Sequence, residues 1–340
     1  MKSFRFSFGF FALLLVVLVG VGCQNDGTET KDPVTPPPAP PKTQYKVPAF
    51  NGDSAMAYIA KQIDFGPRVP NSAAHTACKD WMADQLRSFG WSVIEQDFKT
   101  KKFDGTIFNA TNVIGQYNPK AKNRIFLAAH WDSRFHADSP LATERQDEPI
   151  LGADDGASGV GILIELARII EANPIAGTDL GIDVIFFDVE DQGDSDTQDS
   201  WCLGAQYWAA NLHAPGYRPK YGILLDMVGS KHPRFTKDRV SMAYAPTVMN
   251  RVWSLAQSMG HGGMFVNIPT DALIDDHLYV NQIAGLPMID IINRPAGSET
   301  GFGHYWHTHE DDLDIIHQPT VQAVGQVVTA VVYREASGNF

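Results

Sequence analysis

The chain has 340 residues, 44% of them hydrophobic, which is enough for one large domain or two small ones with a substantial core. Its formal net charge of −12 argues against nucleic acid as a partner, because phosphate binding needs a basic surface. Acidity otherwise says that the surface is well solvated and identifies no substrate.

In chain order, Lys2 and Arg5 precede an apolar run, 10–21, that ends in Gly20-Val21-Gly22-Cys23. A basic start, a stretch shorter than a membrane span of ~20 residues and small residues before the break read as an export signal over 1–22. Cys23 directly after small residues marks a lipoprotein-type cleavage site and is the expected point of lipidation, although Gly20 stands where such sites usually carry Leu. A plain secretory signal, in which Cys23 has no role, is the alternative. Residues 23–44 turn polar and then proline-rich (Pro33, Pro36, Pro37, Pro38, Pro40, Pro41), a composition that forms an extended tether rather than a core. The expected location is the periplasm or cell envelope, with membrane contact through the lipid only. Cys78 and Cys202 are expected to be buried free thiols, with a disulfide as the alternative in an oxidising compartment.

A single globular segment, 45–340, follows. Apolar residues at helical spacing predict helices over 54–65 and 75–89, the second closed by Gly90. Residues 91–98 and 111–117 read as strands, and the continuous apolar run 124–130 as a strand covered on both faces. A helix over 158–172, a buried strand over 181–190, a helix over 205–212 and a strand over 221–228 come next. A helix over 247–259, a strand over 286–293 and a closing helix over 320–335 complete the segment. Strands alternating with helices predict an α/β fold, a single three-layer α/β/α domain with a mixed, mainly parallel central sheet. Ligands of such sheets bind beyond the carboxyl ends of the strands, where His130, Glu190, Asp191 and Asp226 fall.

The residues at those ends suit metal chemistry. In Asp188-Val189-Glu190-Asp191, adjacent acids at a strand exit allow one carboxylate to bind a cation while its neighbour moves protons; a plain acidic loop is the alternative. In Gly152-Ala153-Asp154-Asp155-Gly156, Asp154 or Asp155 could simply cap the following helix, yet the glycines also let the backbone approach a metal. His130-Trp131-Asp132 places an imidazole and a carboxylate on one side of an extended segment, so that Asp132 could orient His130. Asp226 would be costly to bury without a partner. Asp275-Asp276-His277 forms another acidic cluster, and Trp306-His307 closes the set with a candidate ligand followed by acids (Glu310, Asp311, Asp312) able to hold its ring.

Taken together, these motifs resemble the zinc-dependent aminopeptidase fold group, and within it the glutaminyl-peptide cyclotransferases (glutaminyl cyclases), especially exported bacterial ones. The resemblance runs over roughly 50–340 through Phe65-Gly66-Pro67-Arg68, His130-Trp131-Asp132-Ser133, Gly152-Ala153-Asp154-Asp155, Phe186 to Asp191, Leu225 to Gly229, Asp275-Asp276-His277 and Trp306-His307-Thr308. It implies one zinc held by Asp154, Asp191 and His307. It also implies Glu190 as the acid/base, assisted by Asp275 and Asp226, with Trp306, Trp201 and His130 contacting substrate. The expected reaction is cyclisation of the N-terminal glutamine of peptides and proteins to pyroglutamate with release of ammonia, by a monomer. The alternative is a di-zinc aminopeptidase using His130, Asp226 and a bridging Asp154 as well. Asp275, where the aminopeptidases typically have Ser, and Trp306 before the ligand histidine favour the cyclase. Asp191 departs from the Glu that both groups often carry, and so draws the metal closer to its strand.

Overall fold

The computed structural model describes residues 43–340, so the signal, Cys23 and most of the proline-rich tether lie outside the described residues. Within them, the alternation predicted from sequence folds into a central six-stranded sheet in the order β1-β2-β4-β3-β5-β8. Its strands are β1 (Ser92–Lys101), β2 (Ile107–Tyr117), β3 (Asn123–His130), β4 (Leu180–Phe187), β5 (Gly222–Asp226) and β8 (Met288–Ile292). The β1–β2 hairpin is antiparallel and β2 pairs antiparallel with β4, whereas β4, β3, β5 and β8 run parallel. This is the mixed, mainly parallel sheet expected.

Period-two alternation divides the core into two layers. Ile125, Leu127, Ala129, Ile182, Val184 and Phe186 point to one face, while Phe126, Ala128, Ile185 and Phe187 point to the other. The first face is covered by α1 (Gly52–Asp64), α2 (Ala73–Ser88), α3 (Ala157–Ala172), α6 (Pro246–Ser258) and α8 (Gln318–Ser337). Helix α3 has 13 of its 16 residues buried, so it is enclosed rather than amphipathic, and its one buried carboxylate, Glu165, is paired with Arg168. The second face is covered by α4 (Leu203–Ala210), α7 (Asp276–Tyr279) and the short α5 (Arg239–Tyr244). Local chemistry sets several starts: the Asn51 side chain accepts from Asp53 N and Ser54 N at α1, and Ser72 accepts from His75 N at α2. Cys78 and Cys202 are unpaired and buried, on opposite faces of the sheet.

Two differences from the sequence reading matter. The strand expected to reach Glu190 stops at Phe187, because Val189 adopts a left-handed backbone (φ 55°) that turns the chain sharply. A second, two-stranded parallel sheet of β6 (Phe235–Asp238) and β7 (Phe265–Thr270) was not expected. Its strand β6 packs beside β8.

Candidate active site

The C-terminal ends of β3, β4, β5 and β8 converge on a cavity of about 300 Å³ lined by Asp155, Glu190, Asp191, Asp226, Asp275 and His307 on one side. Trp201, Trp306, Phe302, Met227, Leu273, Ile274, Ile292 and Arg294 form the rest of the wall. The turn at Val189 delivers Glu190 and Asp191 to this cavity. Asp132 holds the turn, accepting from Glu190 N (3.0 Å), Asp191 N (3.1 Å) and Gln192 Nε2 (2.9 Å). It does not orient His130 by a hydrogen bond as expected, since their nearest atoms are 3.6 Å apart.

Asp155, Asp191 and His307 bring one donor atom each to within 4.8 Å of one another. His307 Nε2 lies 3.0 Å from Asp191 Oδ1 and 3.8 Å from Asp155 Oδ2, and Asp191 Oδ2 is buried with no hydrogen-bond partner. Two carboxylates and an imidazole, fully buried and with an orphaned oxygen among them, are donors that suit a zinc ion. The outer nitrogen of His307 is held by Asp138, 2.8 Å from Nδ1, the carboxylate support usual for a ligating histidine. Asp138 in turn is fixed by the buried Arg134, whose Nε donates to it (3.1 Å) and whose Nη1 donates to the backbone carbonyls of Asp191 (3.0 Å) and Gly193 (2.8 Å). Arg134 also lies over the Trp201 ring (4.6 Å). One guanidinium therefore links the support of His307, the backbone of Asp191 and a cavity wall. The acids following His307 serve elsewhere: Asp311 accepts from Asp154 N (2.7 Å) and Asp155 N (3.2 Å), and Asp312 caps a short 3₁₀ turn.

The ligand expected at Asp154 is corrected to its neighbour. Asp154 points away from the cavity, where its carboxylate accepts from Gly229 N (2.6 Å) and from the Tyr305 hydroxyl. Asp155 faces the cluster instead, and Gly156 is what lets it do so. A Cβ at Gly156 would come within 2.4 Å of His130 O and 2.7 Å of the His130 ring, so only glycine permits this approach.

His130 is likewise corrected. It is buried beneath the cavity rather than lining it, with Nε2 2.9 Å from Asp155 Oδ1 and 3.2 Å from Asp226 Oδ1. These three form a second donor set that shares Asp155 with the first. Burial and the carboxylates of Asp155 and Asp275 push the Asp226 carboxyl up to about 8, against the opposing pull of His130.

Glu190 stands at the junction of the two sets. Its Oε1 accepts from Cys202 Sγ (3.2 Å), and Oε2 is 4.0 Å from His130 Nδ1. Burial, then the charges of Asp191, Asp275 and Asp276, raise its carboxyl well above the usual range despite the nearby His130. Asp275 lies within 4.8 Å of Glu190 and Cys202, but forms no hydrogen bond to Glu190 or Asp226. Its Oδ1 accepts from Asp276 N (2.5 Å) and its Oδ2 is buried without a partner. Trp306 stacks on His307 (3.7 Å between centroids, 19°) and Phe302 packs on Trp306 (4.9 Å), so the aromatic wall stands directly against the donor triad. Trp201 also lies near-parallel to the His307 ring, at 6.1 Å. Sequence reasoning missed Asp138, Arg134 and Cys202, and none of the three carries a local motif.

A three-layer α/β sheet with carboxylates and an imidazole gathered beyond its parallel strand ends defines the class of zinc aminopeptidase-like proteins. Residues 112–332 match the model of peptidase family M28, and the chain belongs to that family. A Zn-dependent exopeptidase from Parabacteroides distasonis is 47% identical, with a TM-score of 0.82 over 85% of this chain and 99% of its own. The glutaminyl cyclase of Porphyromonas gingivalis is 43% identical, with a TM-score of 0.82 over 84% of this chain and 99% of its own. Among curated proteins, the glutaminyl-peptide cyclotransferase of Bothrops jararaca is 25% identical over 298 residues, 78% of this chain and 76% of that protein.

Proposed function

We propose that this chain is a glutaminyl-peptide cyclotransferase, closing the N-terminal glutamine of peptides and proteins to pyroglutamate with loss of ammonia. The observation that carries the reading is Glu190 placed beside the Asp155–Asp191–His307 triad, at the floor of a small cavity walled by Trp201, Phe302 and Trp306. That cavity suits one side chain held against the triad. The relatives named glutaminyl cyclase support the same reading.

Asp155, Asp191 and His307 would hold one zinc ion. When bound, zinc supplies Lewis-acid polarisation of the substrate γ-carbonyl. The protein's own groups do the rest. The aromatic wall packs the glutamine methylenes and orients the side chain toward its own α-amine, a proximity effect that needs no second substrate. Glu190 Oε2 takes a proton from that amine as its nitrogen bonds to the carbonyl carbon of the side-chain amide, and the raised affinity of Glu190 for protons suits this step. Glu190 then returns the proton to the side-chain nitrogen as the carbon–nitrogen bond breaks, and ammonia leaves. Asp275, close behind Glu190, stabilises the protonated state between these transfers.

The competing reading is an aminopeptidase with a second zinc on His130, Asp155 and Asp226. Incubating the protein with a Gln-initiated and a Leu-initiated peptide separates the two. Ammonia from the first and no free leucine from the second are expected, with one zinc per chain by elemental analysis. Leucine release with two zincs would sink the cyclase reading. From the sequence alone we further propose export with lipidation at Cys23, so that the enzyme acts at a membrane surface on exported peptides as a monomer.

A further inference from the structure

Arg294, two residues beyond β8, is the one lysine or arginine lining the active cavity, among five acids. Its guanidinium is set over the Phe302 ring, 4.8 Å from the centroid. It packs against Gly301, where an added Cβ would come within 3.0 Å of Nη2. Among the described residues no carboxylate pairs with it: the acids that influence it, Asp290, Asp238 and Asp271, act only through space. A half-buried arginine held by an aromatic face, with no anion to answer it, is an uncommon arrangement, because buried charges are normally paired. Its guanidinium presents a planar fork of donors suited to a carboxylate.

What meets that fork follows from where the substrate must lie, and so this step rests on the cyclase reading above. The α-amine of the first residue is committed to Glu190 and its γ-amide to the Asp155–Asp191–His307 side. The first chemical group free to reach Arg294, behind Phe302 and Trp306 on the aromatic wall, belongs to the residue that follows the glutamine. We propose that Arg294 is a specificity-determining residue that binds a carboxylate on the second residue of the substrate, so that the enzyme favours chains beginning Gln-Glu or Gln-Asp. The neighbouring groove behind Phe302 carries Lys231 and His232 together with Glu299 and Asp314. Its mixed signs add no competing charge preference.

The test uses C-terminally amidated tripeptides Gln-Glu-Phe, Gln-Gln-Phe and Gln-Lys-Phe, with ammonia release giving kcat/KM for each. For the unaltered protein the Glu peptide is expected to exceed the Gln peptide by roughly tenfold, the scale of one charge-assisted hydrogen-bonded contact. Arg294→Gln brings that ratio close to one, Arg294→Lys restores part of it, and Arg294→Glu reverses it in favour of the Lys peptide. Zinc content and thermal midpoint identify any variant that has misfolded. Equal rates on the three peptides in the unaltered protein, or a ratio that survives in Arg294→Gln, overturn the proposal. Gln-Ala with a free and with an amidated C-terminus separates the other source of a carboxylate. A preference confined to the free acid overturns the side-chain assignment. Absence of ammonia from every glutamine peptide sinks the cyclase reading itself, and this proposal with it.

Discussion

Adjacent identical residues can carry opposite duties, and the Asp154-Asp155 pair is the sharpest case in this molecule. Asp155 offers an oxygen to each of two donor sets, toward His130 and toward His307. Asp154 is spent on Gly229 N and the Tyr305 hydroxyl, so it anchors the loops after β5 and before His307. Asp155→Asn is therefore expected to lose zinc and turnover together, as read by elemental analysis and ammonia release. Asp154→Asn is expected to keep its zinc while losing about 1–3 kcal/mol of stability, the cost of spoiling a buried charged acceptor, read in urea melts. Metal lost from the Asp154 variant and kept in the Asp155 variant would reverse the assignment. Residue type alone could not have made it. Both are aspartates before a helix, and which one faces the cavity is decided by Asp311, Gly229 and Tyr305, all far away in sequence.

The strands that carry the site are stapled at their other end. Arg124 on β3 donates from Nε (2.8 Å) and Nη2 (2.6 Å) to Asp183 on β4. Asp183 also accepts from Gln116 Nε2 of β2 (3.1 Å) and from the Tyr217 hydroxyl (2.7 Å). Both members of the pair are buried, and breaking a buried pair by neutralising one partner leaves an uncompensated charge. Asp183→Asn should cost about 3–5 kcal/mol, seen as a lower urea midpoint, with zinc content unchanged because the pair lies outside the donor set. A variant as stable as the parent would show that the staple contributes nothing net. At this scale the sequence was most legible: continuous apolar runs revealed β3, β4 and β5, and the acids and imidazole at their ends followed. The small sheet was not legible, since β7 is largely exposed and has little alternation to read. Asp138 was not legible either, lying in an irregular loop 169 positions from the histidine it supports.

At the scale of the whole molecule, the start of the globular segment is tied to its end. Gln318, Gln322 and Gln326 recur every fourth residue and so share one face of α8. Each bonds the segment that runs into α1. Gln326 accepts from Phe50 N (2.8 Å) and donates to Pro48 O (3.0 Å). Gln322 accepts from Gly52 N (2.7 Å) and donates to Phe50 O (2.7 Å). Gln318 donates to the Asp53 side chain (3.1 Å), and Tyr45 N donates to Ser337 Oγ (2.9 Å). Phe50 is buried in the main core beneath this ladder. A chain beginning at residue 43 keeps every one of these contacts, and is expected to melt within a degree or two of the full-length protein. A chain beginning at residue 53 loses the Phe50 side chain and the backbone partners of Gln322 and Gln326. At about 0.5–1.5 kcal/mol net per hydrogen bond and about 1.5–3 kcal/mol for a buried aromatic, the loss is several kcal/mol. That corresponds to a fall on the order of 10 °C in the thermal midpoint. Calorimetry of the two truncations decides it: equal midpoints would mean that the strap merely lies on α8, whereas the expected gap would make residues 44–52 an integral part of the fold.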